Sequence, residues 1–329
     1  NESVSPGQHA FYLPGTAVFD SAFNYITTHE SYAEGGSKFY DKSALYHLHG
    51  EYKFTPGFMD IVVSDNYRMY RPNSHGTIFS DTNDVKITNS EFGVYGGLEK
   101  RFLDSLLKIN ATLRVDKNEN FDVLFSPAVS AVYTLNKSSF RASFSSAIRN
   151  PTLADQYLYY NVGRAILVGN LNGFDSLVAI PSLLDFINTQ KYDTLDFFNV
   201  KPLRPEQVKS IEVGYRASLF QHLFVDMSYY YSWYRYFIGY KLGAVIDYNE
   251  IFNRLNGFQV YRVASNTEDQ VTTNGFSIGL NYYFKEYYSI NGNYSYNKLN
   301  RQGSTDPIIP AFNTPENKFN IGISGRDIA

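Results

Sequence analysis

Residues 107–116 read Leu-Lys-Ile-Asn-Ala-Thr-Leu-Arg-Val-Asp. Leu107, Ile109, Ala111, Leu113 and Val115 alternate with Lys108, Asn110, Thr112, Arg114 and Asp116. Successive side chains of a strand point to opposite faces, so this stretch is a strand with one greasy and one wet face. Helical spacing does not fit it. The same two-residue period runs through Phe276, Ile278, Leu280, Tyr282 and Phe284, and again through Tyr288, Ile290, Tyr294 and Tyr296.

Working outward with this template predicts strands near 43–53, 58–70, 86–99, 105–116, 122–135, 138–149, 207–219, 223–240, 270–285, 287–298 and 317–326. Short links fall at 54–57, 100–104, 136–137, 220–222 and 285–287. The intervening links are mostly long, at 71–85, 150–206, 241–269 and 299–316, and only 117–121 is brief. In an up-and-down barrel every second connection lies on the same rim, so this pattern is that of an outer-membrane barrel. Phe258–Ala264 also alternates. It is read as an extension of the preceding strand or as a hairpin above the membrane, because a further wall strand would reverse the parity.

Composition agrees with this fold class, which is all-β: a transmembrane up-and-down antiparallel β-barrel. Tyr (29) and Phe (26) supply nearly all of a 17 % aromatic content beside a single Trp, yet only 43 % of the chain is hydrophobic. No run of 18 or more apolar residues exists, which excludes a spanning helix and leaves a barrel open, since a barrel strand needs only about 9–11 residues. Tyr229, Tyr231 and Trp233 gather toward a strand end, where amphipathic rings suit the lipid headgroup level. A soluble sandwich would share the alternation. Its wet face would, however, carry dense Lys and Glu rather than Ser, Asn, Gly and Tyr, and its strands would be shorter than the roughly 10–14 residues found here.

The net charge of −3 offers no basic field for nucleic acid. Without cysteine there is no disulfide, thiolate site or thiol nucleophile. His47, His49 and Glu51 share one face of a strand, but a polar barrel wall shows such residues without a metal, so no metal and no cofactor is expected. No nucleophile elbow occurs, and no carboxylate pair can be argued into catalytic geometry, so the chain is not read as an enzyme. The opening residues Asn1 to Gly7 lack the basic and apolar regions of a signal peptide.

Three stretches carry a family resemblance. Leu203-Arg204-Pro205-Glu206-Gln207-Val208-Lys209-Ser210-Ile211-Glu212-Val213-Gly214-Tyr215 resembles the L-x-P-E-x-x-x-S-x-E-x-G stretch of TonB-dependent receptor barrels. Ser145-Ser146-Ala147-Ile148-Arg149-Asn150-Pro151-Thr152-Leu153 is similar to the family's S-x-A-[FY]-R-x-P-[ST]-L segment, with Ile148 in place of the usual aromatic. Asn313-Thr314-Pro315-Glu316-Asn317-Lys318-Phe319-Asn320 resembles its N-T-P-x-x-K-x-N stretch, especially in receptors of the Bacteroidetes type.

The resemblance implies a plugged barrel of about 22 strands, of which the roughly 11 seen here would be an incomplete part. Residues 1–42 are then an extracellular loop region and 43–329 a partial barrel with a long extracellular loop at 150–206; the plug domain and TonB box lie outside this chain. The implied function is active uptake of a scarce nutrient of the siderophore, cobalamin, glycan or peptide class across the cell outer membrane. Its implied partners are the TonB–ExbB–ExbD complex, outer-membrane lipid, the small-molecule or oligomeric ligand and a surface lipoprotein of the kind some related receptors bind. A passive porin and a soluble secreted β-protein are the alternatives.

Candidates for ligand binding or gating are Arg149, Asn150, Asp155, Gln156, Tyr157, Tyr159, Tyr160 and Glu206. They flank or lie within the longest connection, which is rich in Tyr and Phe among Asp, Asn and Gln and lacks clear regular structure. Each has a structural reading as well. Pro205 fits a strand start, so Glu206 could simply organise entry into the strand, and Arg149 could pair with a neighbouring carboxylate as readily as with a ligand anion.

The assignment of faces can be checked directly. Ile109→Arg is expected to cost roughly 2–4 kcal/mol in reversible unfolding from lipid, and Asn110→Arg far less; equal penalties would mean that the faces are reversed.

Overall fold

A strand cannot satisfy its own backbone N–H and C=O groups, so long alternating segments are stable only when laid side by side. The computed structural model describes residues 12–31, 34–83, 85–220, 222–249, 251, 254–284, 287–300, 309–310 and 314–325. Eleven strands form one antiparallel sheet in chain order. These wall strands are β1 (Ala44–Phe54), β2 (Asp60–Arg71), β3 (Asn89–Phe102), β4 (Leu107–Asn118), β5 (Leu124–Leu135) and β6 (Ser138–Arg149), followed by β7 (Glu206–Leu219), β8 (Leu223–Arg235), β9 (Val271–Phe284), β10 (Tyr288–Asn300) and β11 (Asn317–Gly325). Among the described residues the sheet is open, with β1 and β11 each bordered by one neighbour.

Every wall strand corresponds to a segment that alternation predicts, and the register keeps the two faces chemically distinct. Val94 lies opposite Val115, Ile109 opposite Ala131, and Val213 opposite both Tyr229 and Ala142. Leu113, Phe92, Val213 and Phe276 are exposed on this apolar face. Pro127 pairs with β4 but precedes the first β5–β6 pair at Ala128, so its missing N–H takes nothing from the β5–β6 ladder.

Tight links join β1–β2, β3–β4, β5–β6, β7–β8 and β9–β10 on one rim. Several place non-glycine residues in the left-handed region, including Asn136 (φ 53°) in a two-residue turn. The opposite rim carries the long connections.

One wall strand is shorter than alternation predicts. The 223–240 segment leaves the wall at Arg235, because Tyr236 adopts φ 56° and turns the chain away. Strands Ile238–Asn249 and Arg254–Asn266 then pair as a hairpin above the rim, which is where Phe258–Ala264 belongs. Two added strands leave the up-down parity intact.

The longest connection also differs from expectation, since it is not without regular structure. It holds the short helices α2 (Leu153–Tyr157) and α3 (Ile180–Thr189) and strands Tyr159–Asn161, Ile166–Val168, Phe174–Ala179 and Phe197–Val200. These four strands, the two of the hairpin and the two-residue strand Ile309–Pro310, which pairs with Ile238–Asn249, make a second, seven-stranded sheet. Within it Ile166–Val168 runs parallel to Arg254–Asn266. Two small cores hold this rim sheet together. Ile166, Val168, Leu177, Val200 and Val263 form one, and Val178, Leu183, Phe186 and Ala244 the other. Leu183 and Phe186, three apart on α3, present one buried face.

Before β1 lies a further helix, α1 (Ala17–Thr28), capped by Thr16, whose Oγ1 accepts from Phe19 N–H at 3.3 Å. Residues 1–11 are outside the described residues.

Phe186 is 1 % exposed. Phe186→Ala should cost about 3–5 kcal/mol of local stability, read as faster amide exchange in 174–200 and 238–266 while β1–β6 keep their protection. Uniform change throughout the chain would show that the rim sheet does not have its own core.

Candidate functional site

The two ends of the longest connection are held together where β6 stops and β7 starts. Arg149 and Glu206 are cross-strand partners. Arg149 Nη2 donates to Glu206 Oε2 at 2.8 Å, and the same oxygen accepts the N–H of Ile238 at 3.0 Å. Glu206 is only 6 % exposed. A buried carboxylate needs such partners, because stripping its water without replacement costs several kcal/mol. This pair therefore joins the longest connection to the hairpin.

Next along the chain, Thr152 and Asp155 form a capping box that opens α2. Asp155 Oδ2 accepts from Thr152 N–H at 2.9 Å, and Thr152 Oγ1 accepts from Asp155 N–H at 3.1 Å. The Asp155 carboxylate is thereby spent on its own turn.

Gln156 is buried, with both ends of its amide engaged. Its Nε2 donates to Pro151 O at 2.7 Å, and its Oε1 accepts from Asn89 Nδ2 and Asn120 Nδ2, both at 2.8 Å. Asn118 Nδ2 donates to Asn89 Oδ1 (2.7 Å) and Glu91 Oε1 (3.1 Å), and Asn150 Nδ2 reaches the same Glu91 oxygen at 3.0 Å. Asn120 also donates to the Tyr157 hydroxyl at 2.6 Å. Buried amides of this kind need hydrogen-bond partners. This set staples the start of the connection to β3 and β4. Tyr159 packs on the first rim core, and the Tyr160 ring lies 5.4 Å from that of Phe39.

The eight sequence candidates thus gather at one corner of the long-connection rim. Arg149, Asn150, Asp155, Gln156, Tyr157 and Glu206 carry its hydrogen-bonded frame, while Tyr159 and Tyr160 pack against apolar and aromatic neighbours. Beneath this corner, on the wet face, a cavity of about 570 Å³ is floored by β2, β3 and β4 and roofed by 150–153 and Gln156.

Its charged groups are ones that sequence reasoning did not single out. Arg114 is held by Asp116 through Nε (2.8 and 2.9 Å) and Nη2 (2.6 Å), and its Nη2 also donates to Asn66 Oδ1 at 2.7 Å. Arg68 is exposed into the cavity. Its cross-strand partner Glu91 is already engaged by Asn118 and Asn150. Alternation alone places all of these on wet faces, but only the register sets them side by side. At the cavity edge Ser126 Oγ and Asn150 Oδ1 are buried without a protein hydrogen-bond partner.

Farther down the wet face Arg141 pairs with Asp226 at 2.9 Å, as does Arg216 at 2.6 Å. On β1, the His47 and His49 rings are 6.3 Å apart, and His49 Nε2 lies 3.1 Å from Ser64 Oγ. Among the described residues no group of three or more His, Asp or Glu side chains is placed to hold a metal ion.

Comparison with known proteins gives the following. A family model described as "TonB dependent receptor-like, beta-barrel" matches residues 5–326. No curated protein sequence matches the chain. Solved structures do. A mutant of the ferric enterobactin receptor PfeA from Pseudomonas aeruginosa, in complex with enterobactin, is 14 % identical with a TM-score of 0.61, over 87 % of this chain and 40 % of that one. The siderophore receptor PirA from Pseudomonas aeruginosa is 17 % identical with a TM-score of 0.56, over 79 % and 41 %. The copper transporter OprC is 13 % identical with a TM-score of 0.55, over 87 % and 43 %. The chain therefore spans about two fifths of the length of the structures it matches.

Gly93 decides whether the Arg114 cluster can exist. A β-carbon there would stand 2.6 Å from Asn66 Oδ1 and from Asp116 Oδ1, and closer still to Arg114 Nη2. Gly93→Ala should displace the guanidinium and cost about 1–3 kcal/mol, and a structure of the variant that kept the Arg114–Asn66 bond would refute this account.

Proposed function

The chain belongs to the TonB-dependent receptor-like β-barrel family, and on that premise we propose that it forms wall and ligand-capturing mouth of an outer-membrane receptor for active nutrient uptake. The long-connection rim is the extracellular side in this reading, and the wet face lines the lumen. Loops at the mouth capture a scarce solute. TonB with ExbB and ExbD then draws on the proton-motive force to remodel a plug and release the solute inward. Transfer of this kind needs no covalent step.

The observation that carries the proposal is the cavity under α2. Its roof is tied to β3 by the Gln156–Asn89 and Asn150–Glu91 hydrogen bonds, which favours a site formed before a ligand arrives, so that association loses little ordering entropy. Arg68, Ser126, Asn150 and Tyr70 line it. Arg68 and the Ser126 hydroxyl can donate while the unpartnered Asn150 Oδ1 can accept, a combination that suits a polar solute bearing both acceptor oxygens and hydroxyl or N–H donors. Siderophore, cobalamin, glycan and peptide ligands all carry such groups. Fold alone does not choose among them.

Accumulation of a panel of ferric chelates, cobalamin, oligosaccharides and peptides, in cells carrying the intact receptor with and without TonB, tests the proposal. Uptake of at least one compound should require both. Equal accumulation without TonB would favour the passive channel instead. For the compound found, Arg68→Gln should weaken binding by about 1.5–3 kcal/mol, roughly ten- to a hundredfold, with barrel assembly unchanged. Point substitution is the better probe of the mouth than deletion of 167–196, which would strip Leu177, Val178, Leu183 and Phe186 from both rim cores.

A further inference from the structure

A second recess, of about 540 Å³, lies on the other side of the wall, where the start of β1 and the end of β2 meet the 72–88 connection. Its position follows from register. Ala44 pairs with Arg71, Tyr46 with Met69 and Leu48 with Tyr67, which in turn faces Phe92. Phe92 is two residues from Val94 on the apolar face, so Ala44, Tyr46 and Arg71 lie on the apolar face as well. Tyr46, Leu48, Tyr67 and Phe92 are exposed along it.

Lys42, Arg71 and Lys86 line this recess, with His75 beside them. All three fixed cations are exposed, and among the described residues none forms an ion pair. Among the described lining residues the only carboxylate is that of Asp81. It is committed to the loop itself, accepting from Ser74 N–H and Oγ and from Gly76 N–H at 2.9 Å. Burial pushes the Asp81 carboxyl up, but these bonds outweigh it and hold the group below its usual range. Asp41, next to Lys42, turns to Ser43 N–H at 2.8 Å. Asp84 is outside the described residues.

The frame around the cations is tied at several points. Lys42 N–H donates to Asn73 O at 2.9 Å, Asn73 N–H to Ser43 Oγ at 3.1 Å, and Tyr40 N–H to Thr77 Oγ1 at 3.0 Å. The His75 ring stacks on Tyr40 at 3.7 Å. Among the described lining residues three fixed cations stand against one carboxylate in a concave frame, which makes a recess for an anion.

We propose that this recess binds the phosphate group of a membrane lipid, with Lys42, Arg71 and Lys86 as its cationic wall. A free anion in the lumen would meet the opposite face of the sheet. This recess instead opens just beyond the exposed Tyr and Leu side chains that face lipid, at the level where headgroups begin. A lipid seated there places acyl chains along Tyr46, Leu48 and Tyr67 and its phosphate among the cations. The contact would anchor the long-connection rim to one leaflet and fix the height of the barrel in the membrane.

The test uses the intact receptor in a non-ionic, phosphate-free detergent, titrated separately with dioleoyl phosphatidic acid, dioleoyl phosphatidylcholine and inorganic phosphate, and read by native mass spectrometry. Phosphatidic acid should bind more tightly than either of the others. Replacing all three cations (Lys42→Gln, Arg71→Gln, Lys86→Gln) should weaken it on the order of a hundredfold. Lys86→Gln alone, in a connection rather than a strand, should weaken it roughly fivefold. Lys100→Gln at the opposite rim should leave it unchanged. Wild-type affinity for phosphatidic acid in the triple variant would overturn the proposal. Equally tight binding of inorganic phosphate would overturn the lipid assignment and leave a small-anion site.

Discussion

The rest of the structure depends on one constraint: in hydrocarbon, every backbone N–H and C=O must find its partner within the protein, because an unsatisfied group costs several kcal/mol. A membrane wall built of strands therefore has to be a continuous ladder, and the ten neighbouring pairings from β1 to β11 are that ladder. The apolar face is then free to carry exposed Leu113, Val213 and Phe276, which in water would be a liability. The wet face can carry charge because its charges are paired across strands, as Arg141 and Arg216 are with Asp226.

The ladder also explains why the rims differ. Where consecutive strands need only reverse, two to five residues suffice, and left-handed residues such as Asn136 and Phe220 close the turn. Where the chain leaves the wall, its backbone groups need new partners. The rim sheet supplies them. Its cores are small, yet Leu177, Val178 and Val263 are completely buried, so the long-connection rim is built on packed structure rather than on loose loops. The Arg149–Glu206 pair is the junction between the two sheets, because Glu206 serves both Arg149 in the wall and Ile238 N–H in the hairpin.

Close approach of side chains inside the wall calls for missing ones beside them. Gly93 gives Arg114, Asn66 and Asp116 the volume to meet, and Gly214 stands against the Arg141 side chain in the same manner. The wet face is thus shaped as much by absent β-carbons as by the polar groups present, and the polar clusters it holds are specific in place rather than a diffuse coating of charge.

Alternation in segments such as 107–116 and 276–284 was enough to determine strand number, order, faces and rim parity, because a period of two is a local property that pairing with any neighbour preserves. The motif around Glu206 likewise marked a strand start. The sequence did not reveal that 223–240 leaves the wall at Arg235, since a single left-handed residue, Tyr236, interrupts an otherwise alternating run. Nor did it reveal the rim sheet, whose stability comes from contacts between distant segments, such as Asn170 Nδ2 donating to Ala264 O across 94 residues. The candidate cavity was half legible. Arg149 through Tyr160 stood out by their place in the longest connection, but the meeting of Arg68, Asn66, Arg114 and Gly93 belongs to cross-strand register, which depends on how whole strands slide against one another and is decided only when the sheet has formed.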